Sequence, residues 1–334
     1  MSADGGAKAI VAALTANLGI AVTKLLAWLL TGSSSMLAES IHSLADSGNQ
    51  VLLLVGGRQS EKDATPEHPF GYGRERYIYA FIVSIVLFSV GGLFAVYEGY
   101  HKVRKPEAIE SWKWVPVLVL VVAIVLEGYS FMTAMRETNK SRGSASLVRF
   151  IRRAKAPELP VVLLEDTAAL LGLVLALIGV GLTLLTDNGI WDALGTLAIG
   201  VLLVLVAVFL GVETKSLLLG EGATVEDVKR IKQALLADNE TVERIIHMRT
   251  MHLGPEELLV AAKIAVHHDE TAGKIAEAID AAEARIRQAV PIARVIYLEP
   301  DIYHAATARS AAPGAGSISS VTAGGDADAH GATD

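Results

Sequence analysis

The sequence predicts an α-helical membrane protein: six transmembrane helices followed by a small α+β domain. Three observations carry that prediction. The chain of 334 residues is 52% hydrophobic, only 19% charged, and has a mean hydropathy of +0.43, more apolar than a soluble domain sustains along its whole length. Its apolar residues gather into long runs in the first two thirds, while most charge sits in the gaps and in the last third. The runs reach the roughly 20 residues needed to cross a hydrocarbon core.

Six segments qualify: 9–30, 36–57, 77–100, 112–135, 160–186 and 191–212. The first follows a single Lys and shows no cleavage pattern, so it reads as a mature helix, and the missing leader points to a prokaryotic inner membrane. The second is the least apolar, interrupted by Glu39, His42, Asp46, Asn49 and Gln50, but the run 51–55 continues it as a span. Gly56-Gly57 at its end and Gly91-Gly92 in the third permit close packing or bending. The fourth carries Glu127, the fifth Glu165 and Asp166. The sixth opens with Asp192, an acid favoured at a helix start by the dipole.

Lys and Arg in the short loops set the orientation. The loop after the second span holds Arg58, Lys62, Arg74 and Arg76. The loop after the fourth holds Arg136, Lys140, Arg142, Arg149, Arg152, Arg153 and Lys155. The connections 31–35 and 187–190 carry none. Lys102, Arg104, Lys105 and Lys113 after the third span weaken the contrast without reversing it, so both termini are expected in the cytoplasm. This divides the chain into a short N-terminus (1–7), a membrane domain (8–212) and a soluble domain (213–304).

In the soluble domain Val225, Val228, Ile231 and Leu235 recur at helical spacing, and Leu258, Val260, Ala262, Ile264 and Val266 alternate as in a half-buried strand. With a strand over 242–253, a helix over 271–290 and a strand over 293–298, the order suits an antiparallel-leaning sheet with helices on one face. Residues 305–334, mostly Ala, Gly, Ser, Thr and Asp, have little to bury and read as a disordered tail. A net charge of −7 gives no nucleic-acid signal, and with no Cys there are no disulfides, thiolate metal sites or Cys nucleophiles.

Ionisable groups inside a span cost roughly 2.5–3.5 kcal/mol each and face protein or water. His42 and Asp46, four residues apart, share one helical face. An imidazole nitrogen and a carboxylate oxygen suit a borderline ion such as Zn²⁺, with Co²⁺ and Fe²⁺ as the other candidates; a buried His–Asp hydrogen bond between helices is the alternative. Further donors have to come from other spans. Asp166 is the best placed. Glu165 points about 100° away around the helix and suits proton handling or support before ligation. Glu127 either completes the site, shuttles protons or pairs with a base. Asn17, Lys24 and Asn49 read as interhelix hydrogen-bonding groups.

Several separated segments resemble the cation diffusion facilitator family. They are Ser35-Met-Leu-Ala-Glu-Ser-Ile-His-Ser-Leu-Ala-Asp-Ser-Gly-Asn-Gln, His68-Pro-Phe-Gly-Tyr-Gly-Arg-Glu-Arg-Tyr, Tyr97-Glu-Gly-Tyr and Trp191-Asp-Ala-Leu-Gly-Thr-Leu-Ala-Ile-Gly. The resemblance covers about residues 8–303. It implies a homodimeric, proton-coupled exporter of Zn²⁺ or a related ion, without a prosthetic group, and a ferredoxin-like cytoplasmic domain that helps dimerisation. One segment departs from the zinc-type pattern. Aligning Asp166 with the end of the usual His/Asp-x-x-x-Asp pair places Val162 at its start. Val161-Val-Leu-Leu-Glu-Asp-Thr-Ala-Ala instead resembles the branch related to the family's mitochondrial zinc transporter. His42, Asp46 and Asp166 carry over by position; Glu165, Glu127 or a water is left for the fourth place.

In the soluble domain His247, His252, His267, His268 and Asp269 offer donors, but an adjacent His-His-Asp at a strand end reads as a solvated turn rather than a regulatory site. No nucleotide-binding or aspartyl-phosphate motif is present, so a gradient is the expected energy source. Two other functions fit a metal-binding membrane chain, a metal-sensing receptor and an intramembrane hydrolase; no HExxH and no second His in any span furnishes the latter.

Overall fold

A computed structural model describes residues 3–31, 34–106, 114–237 and 241–303, the side chains of 3–5, 30, 31, 34–39, 41 and 42 excepted. Helix α1 (Ala3–Thr31) is followed by α2 (Ser34–Ser60). Helix α3 (Glu75–Val86) then passes through a π-helical stretch, Leu87–Leu93, into α4 (Phe94–Arg104). Helix α5 (Trp114–Arg142), a short α6 (Leu147–Arg153), α7 (Glu158–Thr186) and α8 (Ile190–Leu219) complete this part. Among the described residues, five stretches are long and apolar enough to cross a membrane: Gly6–Leu29, Glu75–Arg104, Trp114–Arg142, Glu158–Thr186 and Ile190–Leu219. The chain is a helical membrane protein. Helix α2 falls below that hydropathy because of its polar interruptions, yet it packs between α1 and α3.

Around the bundle α1 meets α2, α5 and α7; α7 packs between α5 and α8; and α8 lies along α3 and α4. Glycines bring α4 and α8 to backbone contact, since a Cβ built at Gly200 would stand 2.5 Å from Val96 N and one at Gly99 2.6 Å from Leu197 N. Of the paired glycines, Gly56 lies against Tyr79 and Gly92 against Val204, whereas Gly57 has open space. Helix α7 ends where Asp187 turns left-handed (φ 50°), and Asn188 Oδ1 accepts from the N–H of Ile190 to start α8. At the start of α8, Asp192 accepts from Lys102 at 3.3 Å.

Contacts at the opposite end fix the directions of the helices. Gly6, near the start of α1, lies against Glu158 at the start of α7, and Glu158 pairs with Arg76 at the start of α3. Lys155, just before α7, pairs with Glu221, just after α8. Helix α6 has no counterpart in the sequence reading. Ser146 caps it, Phe150 is buried, and Arg149, Arg152 and Arg153 point outward.

The C-terminal domain contains α9 (Val225–Leu235), β1 (Val242–Gly254), β2 (Glu257–Val266), α10 (Ala272–Ala289) and β3 (Val295–Asp301). Thr224 and Thr271 cap the two helices through their hydroxyls. The sheet order is β1-β2-β3, with β1/β2 antiparallel and β2/β3 parallel. The sheet is thus mixed rather than antiparallel throughout, because α10 carries the chain back to the starting end of β2 before β3 begins. Leu258, Val260, Ala262 and Ile264 of β2 form one core with Ile231, Leu235, Ala282 and Ile286 of the helices. The expected tail, 305–334, lies outside the described residues.

The tip of the β1–β2 hairpin docks on the membrane domain. His252 N donates to Glu221 O at 2.8 Å, Arg74 Nη2 lies 3.2 Å from Met251 Sδ, and a Cβ at Gly73 would stand 3.0 Å from Gly254 Cα.

Candidate metal site

Polar residues of α1, α2, α5 and α7 meet inside the bundle. On α7, Glu165 is 6% exposed and Asp166 1%. Both oxygens of Glu165 are used: Oε1 accepts from Asn49 Nδ2 at 3.0 Å and Oε2 from Gln50 Nε2 at 2.8 Å. Gln50 is held in turn by Asn17 Nδ2, which donates to its Oε1 at 3.4 Å. Asp166 Oδ2 accepts from Ser130 Oγ at 2.6 Å, and the same carboxyl is within hydrogen-bonding reach of Glu127. Glu127, 2% exposed, stands beside Asp166. Asp46, half-buried near the middle of α2, is close enough to Glu165 and Glu127 for its charge to act on both.

The local sequence explains this meeting. Asp46 and Asn49 are three residues apart and Asp46 and Gln50 four, so all three lie on one stripe of α2. Glu127 and Ser130 share a stripe of α5 in the same way. Neighbouring residues of α7 diverge, so Glu165 meets α2 while Asp166 meets α5. Val162, one turn before Asp166, is fully buried in the apolar core and brings no donor. The side chain of His42 lies outside the described residues; its backbone is on α2, one turn before Asp46. Among the described residues, no three His, Asp or Glu side chains are gathered closely enough to hold an ion.

Asn17 and Asn49 make interhelix hydrogen bonds, as their positions suggest, and Lys24 Nζ donates to Ser43 Oγ at 3.1 Å across α1 and α2. Sequence reasoning missed Ser130. Its signal is its place three residues after an intramembrane acid. In the C-terminal domain His268 is exposed beside Asp269, and His267 Nδ1 lies 3.7 Å from Glu243 Oε1. His252, by contrast, is buried, with Nδ1 3.3 Å from Gly254 O and Nε2 unpartnered.

A helical bundle with Glu127, Glu165 and Asp166 buried in its interior defines a membrane protein that carries ionisable groups in its core. Residues 10–219 match the cation efflux transmembrane domain, and the chain belongs to that family. It is 35% identical over 266 residues to the mitochondrial proton-coupled zinc antiporter SLC30A9 of Xenopus laevis, covering 79% of this chain and 47% of the relative. The human protein of that name is 34% identical over 262 residues, 78% of this chain and 46% of its own length. The cation-efflux pump FieF of Pectobacterium atrosepticum is 26% identical over 255 residues, 75% of this chain and 78% of the pump. The chain spans about half the length of the SLC30A9 proteins it matches. These relatives place it in the branch expected from Leu164-Glu-Asp.

Proposed function

We propose that this chain is a secondary transporter that exports a divalent transition-metal cation, Zn²⁺ first and Fe²⁺ or Co²⁺ next, from the cytoplasm in exchange for protons. The carrying observation is the burial of Glu127, Glu165 and Asp166 inside the bundle of a cation efflux chain whose relatives include proton-coupled zinc antiporters. His42, Asp46 and Asp166 are read as ligands, and Glu165 and Glu127 as proton-handling or supporting groups. Metal needs a neutral imidazole and ionised carboxylates, so a proton on any of these groups competes with it. The same residues can therefore take metal on one side and exchange it for protons on the other.

Helix α2 is then the sixth span. Its 27 residues measure about 40 Å at 1.5 Å each, and α1 begins at the end of the bundle where α8 finishes, which an even number of passes requires. Both termini then lie on the cytoplasmic side, and α9 to β3 form a ferredoxin-like domain of a homodimer. The SLC30A9 relatives are mitochondrial, whereas the sequence alone points to a prokaryotic inner membrane.

Purified protein in vesicles tests it. Zn²⁺ flux should dissipate an imposed pH gradient, and Asp46→Ala and Asp166→Ala should abolish both flux and metal binding. Binding without flux in the wild-type protein would make the chain a sensor and overturn the reading.

A further inference from the structure

We infer that the arginine face of α6 binds an anionic phospholipid: Arg149, Arg152 and Arg153 hold its phosphate, and a chain lies in the groove where α6 meets α7 and α8. The sequence between Glu137 and Glu158 holds six bases and no acid. Three of the six are engaged. Lys140 pairs with Glu137, Lys155 with Glu221, and Arg142 donates to Asn139 Oδ1 and Ala145 O. The other three are Arg149, Arg152 and Arg153, all exposed. Spacings of three and four put them on one stripe of α6, and no described acid pairs with any of them. A basic cluster without acids beside a membrane attracts anionic lipid.

The place of α6 selects a lipid over a soluble anion. Phe150 is buried in the core of the bundle, and Leu147, Ile151 and Ala154 pack against that core. The helix is thereby held against the bundle between the end of α5 and the start of α7, at the limit of two membrane-crossing stretches. Val148 on the same helix is 67% exposed, and an apolar side chain among arginines suits the boundary between headgroups and chains. Arg152 also lines a groove with Ile151, Val161 of α7, and Phe209 and Leu210 of α8. Two carboxyls reach that groove: Glu221, matched by Lys155, and Glu213 on α8, which keeps a phosphate on the α6 side. Three arginines against one unmatched carboxyl leave the site cationic. A zwitterionic lipid would bring a cation of its own to these arginines, and a soluble anion would leave the apolar walls bare.

Native mass spectrometry of the purified full chain in detergent, titrated with phosphatidylglycerol or phosphatidylcholine, tests this. One variant carries Arg149→Gln, Arg152→Gln and Arg153→Gln. A control carries Lys229→Gln, Lys232→Gln and Lys274→Gln, removing three exposed charges from α9 and α10. The arginine variant should bind phosphatidylglycerol about fivefold more weakly per arginine, roughly 100-fold in all, with phosphatidylcholine binding unchanged; the control should change neither. The three side chains are exposed, so the lipid-free unfolding midpoint should match the wild type. Replacing all three by Lys, which keeps the charge, should preserve the preference for phosphatidylglycerol. Undiminished phosphatidylglycerol binding in the Gln variant, or equal affinity of the wild type for the two lipids, would overturn the inference. So would displacement by equimolar glycerophosphoglycerol, the same head without chains, which would make the stripe a site for soluble anions.

Discussion

Glu165 shows how far one residue's role depends on partners distant in the sequence. A carboxylate entering a membrane helix is legible as functional, but the two amides that saturate it come from α2, 116 and 115 positions away. Nothing in the local pattern announces that pairing. Asn49 reads as an interhelix hydrogen-bonding group with no partner named, Gln50 only as a polar interruption, and Ser130 passes unnoticed beside the acid one turn before it. Asp166 and Val162 are both buried in the bundle, as their places on the fifth span suggest. Glu165 and its two amides carry a prediction. In Glu165→Leu both amides lose their acceptor, and two buried NH₂ groups are left unpaired. The variant should lose about 1–3 kcal/mol of stability, seen as a lower midpoint of thermal unfolding in detergent. An unchanged midpoint would mean that the amides hold Glu165 without stabilising the bundle.

At the level of elements, length and apolar runs located every helix of the membrane domain except α6, and periodicity located both helices and all three strands of the C-terminal domain. What escaped were features set by packing. The π-helical turn at Leu87–Leu93 and the contact of α4 with α8 follow from how two helices meet, and Gly91-Gly92 hinted only at bending. The direction of β3 escaped because strand residues carry no mark of parallel or antiparallel pairing, and only the crossover through α10 decides it. Glycines test the packing directly. In Gly200→Ala the new Cβ would meet the backbone nitrogen of Val96 at 2.5 Å, atoms that cannot rotate away. Forcing α4 and α8 apart should cost about 1–3 kcal/mol or more. Gly57→Ala meets nothing within 4 Å and should be neutral or stabilising by up to about 1 kcal/mol, from helix propensity. Thermal unfolding of the two variants side by side checks this, and a comparable loss in both would remove backbone contact as the cause.

For the whole molecule the question is how the C-terminal domain is held to the bundle, and the hairpin tip makes that junction sensitive to acid. His252 is buried there among Lys155, Glu221 and Asp227, with Arg74 beside the adjacent Met251. Burial, and then the charge of Lys155, hold its imidazole below the ordinary value of 6.5, against the pull of Gly254 O, Asp227 and Glu221. Burial pushes the carboxyl of Glu221 up, but hydrogen bonds from Lys155 and Ser216 outweigh it and leave it below its usual range. The Lys155–Glu221 pair therefore survives acidification that reaches His252. An undocked His252 protonates at higher pH than a docked one, so the undocked state binds more protons. Docking is complete above 6.5 and weakens as pH falls below it. Hydrogen exchange of the amides in 251–258, corrected for intrinsic rates, should rise between about pH 7.5 and about pH 5.5 in the native chain. In His252→Gln, which has no charge to gain, the rise should vanish. An equal rise in both would place the acid-sensitive group elsewhere in the junction.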